Sequence, residues 1–145
     1  MQKYKVLKKD SILDTDINCN FGATHNNKHG IAYRAWLAAG NTPDYDANVL
    51  AEVKEKKIQE YKTEGVNRIQ VHVPAWNSVE LVGIIFSTWN MLGTPSAAQS
   101  SAKDIYVYVK NTAIPAVNAI DTGDVEADIA TIQAIDVVND PSFPS

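Results

Sequence analysis

Residues 47–73 read ANVLAEVKEKKIQEYKTEGVNRIQVHV, the longest stretch of the chain with one consistent period. Leu50, Val53, Ile58, Tyr61 and Ile69 recur at helical spacing, and the intervening Glu and Lys are strong helix formers. The spacing predicts one long helix from Ala47 to Val73, stopped by Pro74. Its apolar stripe is thin, broken at Lys57 and Gly65. Such a helix is either half exposed or forms a coiled-coil seam with a partner. Charge pairing does not decide between the two, because Glu52–Lys56 attracts at i,i+4 while Glu60–Glu64 repels.

Toward the N-terminus, Gly40-Asn41-Thr42-Pro43 marks the end of an earlier helix over about Asn27 to Ala39, and Pro43-Asp44-Tyr45-Asp46 reads as a connector. Ile31, Ala35 and either Ala38 or Ala39 define one face of that helix, widened by Trp36 and Leu37. Before it, Tyr4 and Val6 alternate with polar neighbours, and Ile12-Leu13 and Ile17 follow the Lys8-Lys9-Asp10-Ser11 break. This is the pattern of a short hairpin. Asn and Asp are dense from Asp14 to Asn27, as in turns whose side chains bond their own backbone.

Toward the C-terminus, Asn77 or Ser78 caps a helix from Val79 to Leu92. Its apolar residues run almost all round, which suits the centre of a core or an oligomer interface. Ser96-Ala97-Ala98-Gln99 is a capping box. The helix behind it extends to about Ile120, with Ile105, Tyr108, Val109, Thr112, Ala116 and Ile120 inward and Pro115 kinking or splitting it. Asp124 caps a last short helix holding Val125, Ile129, Ile132 and Ile135. The expected architecture is mainly α within an α+β class: a small N-terminal β-hairpin followed by a bundle of about four to five helices. One domain is expected over 1–145, with a β/turn segment at 1–25, a helical part at 26–138 and an extended tail at 139–145.

The 145 residues are 45% hydrophobic and 21% charged, as in a folded domain rather than a disordered chain. A net charge of −4 leaves no broad basic surface for phosphate backbones, so nucleic acid is not an expected partner. The single Cys19 cannot form an internal disulfide, consistent with synthesis in a reducing cytoplasm. The basic start MQKYKVLKKDSIL lacks the apolar run of a secretion signal, and Leu81 to Phe86 is too short to cross a bilayer. No membrane association is expected.

Several constellations invite chemistry. Asp14, Asp16 and Asn18 open a calcium-loop pattern, but Cys19 stands where Gly belongs and His25 where the bidentate Glu belongs, which favours an Asx-rich turn. His25 and His29, four apart, with Cys19 and His72 as further donors, make weak candidates for a metal site. Cys19 beside a histidine is also the outline of a thiolate nucleophile, though a lone cysteine is more often a small packed residue. The seven glycines are scattered singly rather than forming a phosphate-cradling loop, and Asp121 and Asp124 sit where helix caps want acids. No catalytic residues, metal or cofactor are expected, and the chain is read as a non-enzyme. Aromatic side chains dominate contact hot spots, so Tyr45, Tyr61, Trp76 and the terminal Phe143-Pro144 are the candidate partner contacts. Trp36 and Trp89 are expected in the core.

Tyr33-Arg34-Ala35-Trp36-Leu37-Ala38-Ala39-Gly40-Asn41-Thr42-Pro43 is similar to the Y-x-x-W-L-A-x-G-N-T-P segment of short tail-associated proteins of tailed bacteriophages, and a Glu/Lys-rich helix follows it here as there. Ile135-Asp136-Val137 and Asp140-Pro141-Ser142-Phe143-Pro144 are similar to their V-x-A-I-D-V-x-x-D-P-x-W-P ending, with Phe143 in place of the usual Trp. The two stretches cover about a third of the chain. The resemblance implies a virion protein of the tail fibre or baseplate, made in the host cytoplasm. Its expected partners are other tail proteins and further copies of itself. The alternative it implies is a tail-fibre assembly chaperone absent from the finished particle. A small metal-dependent enzyme using Cys19, His25 and His29 stands apart as a remote third reading.

Overall fold

The computed structural model describes residues 2–8, 10–88 and 93–145. Contacts divide the chain into two units, Met1–Val53 and Lys54–Ser145. The fold is mainly helical with a small N-terminal sheet, an α+β protein as its periodicities predict.

The first unit is a four-stranded sheet with one helix on it. Strands β1 (Tyr4–Lys8), β2 (Ser11–Asp14), β3 (Cys19–Gly22) and β4 (Asp44–Tyr45) lie in the order β3-β2-β1-β4. β1/β2 and β2/β3 are antiparallel, while β1/β4 is parallel. The expected hairpin is therefore two strands short of the sheet. β3 hides in the Asn-rich turn region because Phe21 is its one large apolar residue. β4 hides in the expected connector because it is two residues long, held by its backbone beside Lys5 and Val6. The register puts Val6 opposite Ile12 and Ile12 opposite Phe21, so these side chains share one face and are buried there.

Helix α1 (Lys28–Ala38) covers that face. Asn27 caps it by accepting the Gly30 amide at 2.9 Å, and Gly40 (φ 86°) closes it in the left-handed conformation. The face it buries is not the expected one. Gly30 and Tyr33 are buried and Trp36 half-buried, whereas Ile31, Ala35, Ala38 and Ala39 are exposed. Aromatic packing decides the rotation: Tyr4 meets Tyr33 and Trp36 edge-on, each at 5.1 Å, and Phe21 at 6.0 Å. These rings remove far more apolar area from water than a row of alanines.

Helix α2 (Ala47–His72) has the predicted extent. Ile58, Tyr61 and Ile69 are buried, and so are Lys57 and Gly65, the two positions that break the stripe by residue type. The inward face is thus wider than its apolar residues suggest, while Gln59, Thr63, Asn67 and Val71 face solvent. The helix is half exposed in the single chain.

In the second unit, helix α3 (Val79–Ser87) packs on α4 (Ala97–Tyr108). Ser78 caps α3 through the Leu81 amide. Trp89 and the expected end of this helix at Leu92 lie outside the described residues. The capping box is formed: the Ser96 amide donates to Gln99 Oε1 at 2.8 Å, and the Gln99 amide donates to Ser96 Oγ at 3.2 Å.

Beyond Tyr108 the chain winds one π turn, Val109–Ala113, before α5 (Ile114–Asn118). In α geometry the Pro115 ring would strike the carbonyl four residues back, and the wider turn just before it relieves that clash. The helix expected to kink or split at Pro115 thus changes from α to π just before it and resumes as α5. The π turn adds one residue, and the inward positions become Ile105, Val109, Ala113 and Val117; Thr112 and Ala116, expected inside, are exposed. Asp124 caps α6 (Val125–Gln133), and the buried Asp128 accepts the Thr122 amide and hydroxyl at 2.9 and 2.8 Å. Ile135 lies beyond this helix.

Candidate functional site

The densest polar–aromatic cluster of the second unit lies where residues 135–143 run over α2 and α4. Tyr61 and Arg68 are seven apart on α2 and so share a face. Tyr61 Oη donates to Asp140 Oδ2 at 2.9 Å, and Tyr108 Oη donates to the same oxygen at 2.6 Å. Asp140 Oδ1 accepts the Ser142 amide at 2.9 Å, so both carboxylate oxygens are engaged. Phe143 is buried, with its ring 4.9 Å from Tyr108 and 5.9 Å from Tyr61. The Arg68 guanidinium lies over that ring at 4.3 Å, donates to the Val138 carbonyl at 2.8 Å, and pairs with Glu64 at 2.7 Å. One turn earlier, buried Lys57 donates to the Ile135 carbonyl at 2.9 Å and pairs with Glu60.

The electrostatics follow from this geometry. Burial pushes the Tyr108 hydroxyl up to about 12, and its bond to the Asp140 carboxylate adds to the shift. Tyr61 is raised for the same two reasons. Burial would raise the Asp140 carboxyl, but the Tyr108 hydroxyl, the Ser142 amide and the Tyr61 hydroxyl outweigh it and hold the group below its ordinary value. The arrangement is an anion stabilised by three donors, and it fastens residues 135–143 to α2 and α4. Among the described residues it includes no nucleophile–base pair.

The expected contact residues fall into different surroundings. Tyr61 and Phe143 pack on each other inside this clasp, with Pro144 half-buried beside them in sequence. Trp76 is buried, its ring edge-on to Phe86 at 5.5 Å. Tyr45 is half-buried in β4. Arg68, Tyr108 and Asp140 complete the clasp and were not singled out by residue type. The i,i+7 relation of Tyr61 and Arg68 was the signal for the first of them.

The weak metal candidates have other neighbours. Cys19 Sγ donates to the Asn20 carbonyl at 3.8 Å, His29 stacks on Phe21 at 5.8 Å, and the His25 ring lies against Gly22. His72 is half-buried at the end of α2. Among the described residues no three His, Cys, Asp or Glu side chains converge. The Asp14 carboxylate is engaged in an Asx turn, accepting the Asp16 amide at 3.1 Å, and Asn18 (φ 49°) completes the β2–β3 loop.

A second feature belongs to α3. Seven of its nine residues, VELVGIIFS, are apolar or glycine, yet Val79 and Val82 alone are fully buried. Leu81 is 36% exposed and Ile84 63% exposed, three residues apart on one face.

No family model, curated protein or solved structure matches this chain. Among the described residues, no helix is long and apolar enough to cross a membrane.

Proposed function

We propose that this chain is a structural component of a bacteriophage tail, near the fibre or baseplate, that works through protein–protein contacts. The uncovered apolar face of α3 carries the reading. Keeping Leu81 and Ile84 in water forfeits about 25 cal/mol for each Å² of apolar surface, and covering them with a partner recovers that term. A helix apolar on nearly every side satisfies itself only when neighbours lie on more than one side. The tail clasp fits the same role, because it fixes the C-terminal segment as a rigid part of the surface. The resemblance of Tyr33–Pro43 and Ile135–Pro144 to tail-associated proteins supplies the setting.

The test is the composition of particles of the phage that carries this sequence. Recovery of the chain at a fixed ratio to fibre or baseplate proteins is the expected result. Its absence from particles, together with co-purification with fibres before assembly, would make it an assembly chaperone. Absence from both removes the reading.

A further inference from the structure

We propose that the Tyr61–Arg68–Tyr108 clasp is a peptide-recognition site reading an aspartate followed three residues later by an aromatic ring, and that in trans it takes the C-terminal segment of a second copy of this chain. After α6 ends at Gln133, the chain makes no strand pairing and no further helix among the described residues. The polar contacts that tie 135–140 to α2 and α4 are made by side chains of those helices: Lys57, Tyr61, Arg68 and Tyr108. The Tyr61, Arg68 and Tyr108 contacts do not depend on the segment being joined to α6, so each forms with the same segment from another copy, while the Lys57 contact to Ile135, two residues from α6, is given up.

The segment also carries its own shape. The Asp140 carboxylate accepts the Ser142 amide, the Phe143 amide donates to the Asp140 carbonyl at 3.3 Å, and Pro141 and Pro144 restrict the backbone on either side. A turn ordered by local bonds loses less entropy on docking, which is what a short peptide ligand needs. Recognition divides between two groups: the Asp140 carboxylate, read by both tyrosine hydroxyls, and the Phe143 ring, held between those tyrosines and the Arg68 guanidinium. With the Lys57–Ile135 contact given up, the stretch from Gln133 to Val137, where the recognised peptide begins, reaches about 13 Å when extended, enough to cross to a neighbour whose α2 lies beside α6. In dilute solution the tethered segment wins, because a short linker presents it at an effective concentration of millimolar order. Where copies are crowded in an assembly, exchange between them costs only the hinge.

The inference goes beyond the proposed tail function and is tested on the recombinant chain alone. The full-length D140A/F143A variant leaves the clasp intact and disables its own segment. Fluorescence anisotropy then follows a labelled peptide of residues 137–145. Saturable one-to-one binding is expected, about tenfold weaker or worse when the peptide's own Asp or Phe is replaced by Ala. An intact chain whose clasp is broken by Tyr61→Phe, Arg68→Ala and Tyr108→Phe should displace that peptide. Failure of the folded double variant to bind at millimolar peptide overturns the site, as does indifference to the Asp or Phe. Binding without displacement by the intact chain overturns the second-copy occupant. If the double variant does not fold, the unmodified chain decides: peptide at about 20 mM, well above the effective concentration of the tethered segment, should move the Phe143 ring signals in its NMR spectrum to unbound positions, and unchanged signals reject the proposal.

Discussion

Asp140 holds two tyrosine hydroxyls on one oxygen, and that geometry fixes how the second unit responds to pH. Its carboxyl is depressed below the ordinary value, so its contribution to stability is present above about pH 4 and lost as pH falls through the lower folded value. The tyrosines act with opposite sign. Tyr108 is raised to about 12, so its contribution is complete below about pH 10 and lost as pH rises through the folded value. An ultraviolet absorbance titration should show a late phase that Tyr61→Phe and Tyr108→Phe each diminish. In D140A both tyrosines should move down, yet burial, the larger cause, keeps them above a free tyrosine. A titration that neither substitution changes contradicts the clasp. Gly30 gives the matching prediction in the first unit. A Cβ there would lie 2.1 Å from the His25 carbonyl oxygen, a backbone atom that Arg34 also holds at 3.0 Å. Gly30→Ala should cost about 2 kcal/mol in chemical denaturation, and a neutral result rejects the close approach.

Among elements, what the sequence made legible was local. The Ser96–Gln99 box, the Asp124 cap, the Gly40 stop and the α2 boundaries depend on neighbours within four residues, and each appears as expected. What was not legible depends on contacts far along the chain. The π turn at Val109–Ala113 shifts the inward face by one residue, so a strict 3.6 period misplaces Thr112 and Ala116. α1 turns its alanines outward because Tyr4, distant in sequence, receives Tyr33 and Trp36. The clasp was half visible: Tyr61 and Phe143 stand out as aromatics, but their partners Arg68 and Asp140 look like ordinary surface charges. Gly65 shows the same limit. By residue type it interrupts an apolar stripe, yet the π turn packs directly on it: a Cβ there would meet Val109 Cγ2 at 2.8 Å. Gly65→Ala gains about 1 kcal/mol of helix propensity but overpacks this contact, and the net effect should be a loss of about 1–2 kcal/mol. Adding Val109→Ala to Gly65→Ala should recover part of that loss. Strict additivity of the two substitutions excludes the contact.

Over the whole molecule, two features bear on assembly: the apolar side chains α3 leaves in water and the segment seated in the clasp. Replacing Leu81 and Ile84 by Asp should cost about 2–3 kcal/mol and leave the chain folded, since Ile84 is mostly exposed while Leu81 keeps about two thirds of its surface buried. The same change should abolish self-association: light scattering should give a defined multiple of 15.9 kDa for the unmodified chain and one chain mass for L81D/I84D. Arg68→Ala should leave the helices formed but release the tail, seen as rapid proteolysis after residue 134. The most direct test of the central claim is incorporation of the two chains into phage particles, quantified by mass spectrometry. The account predicts the unmodified chain at a fixed copy number and the folded L81D/I84D chain excluded. Equal incorporation of both, or of neither, would contradict it.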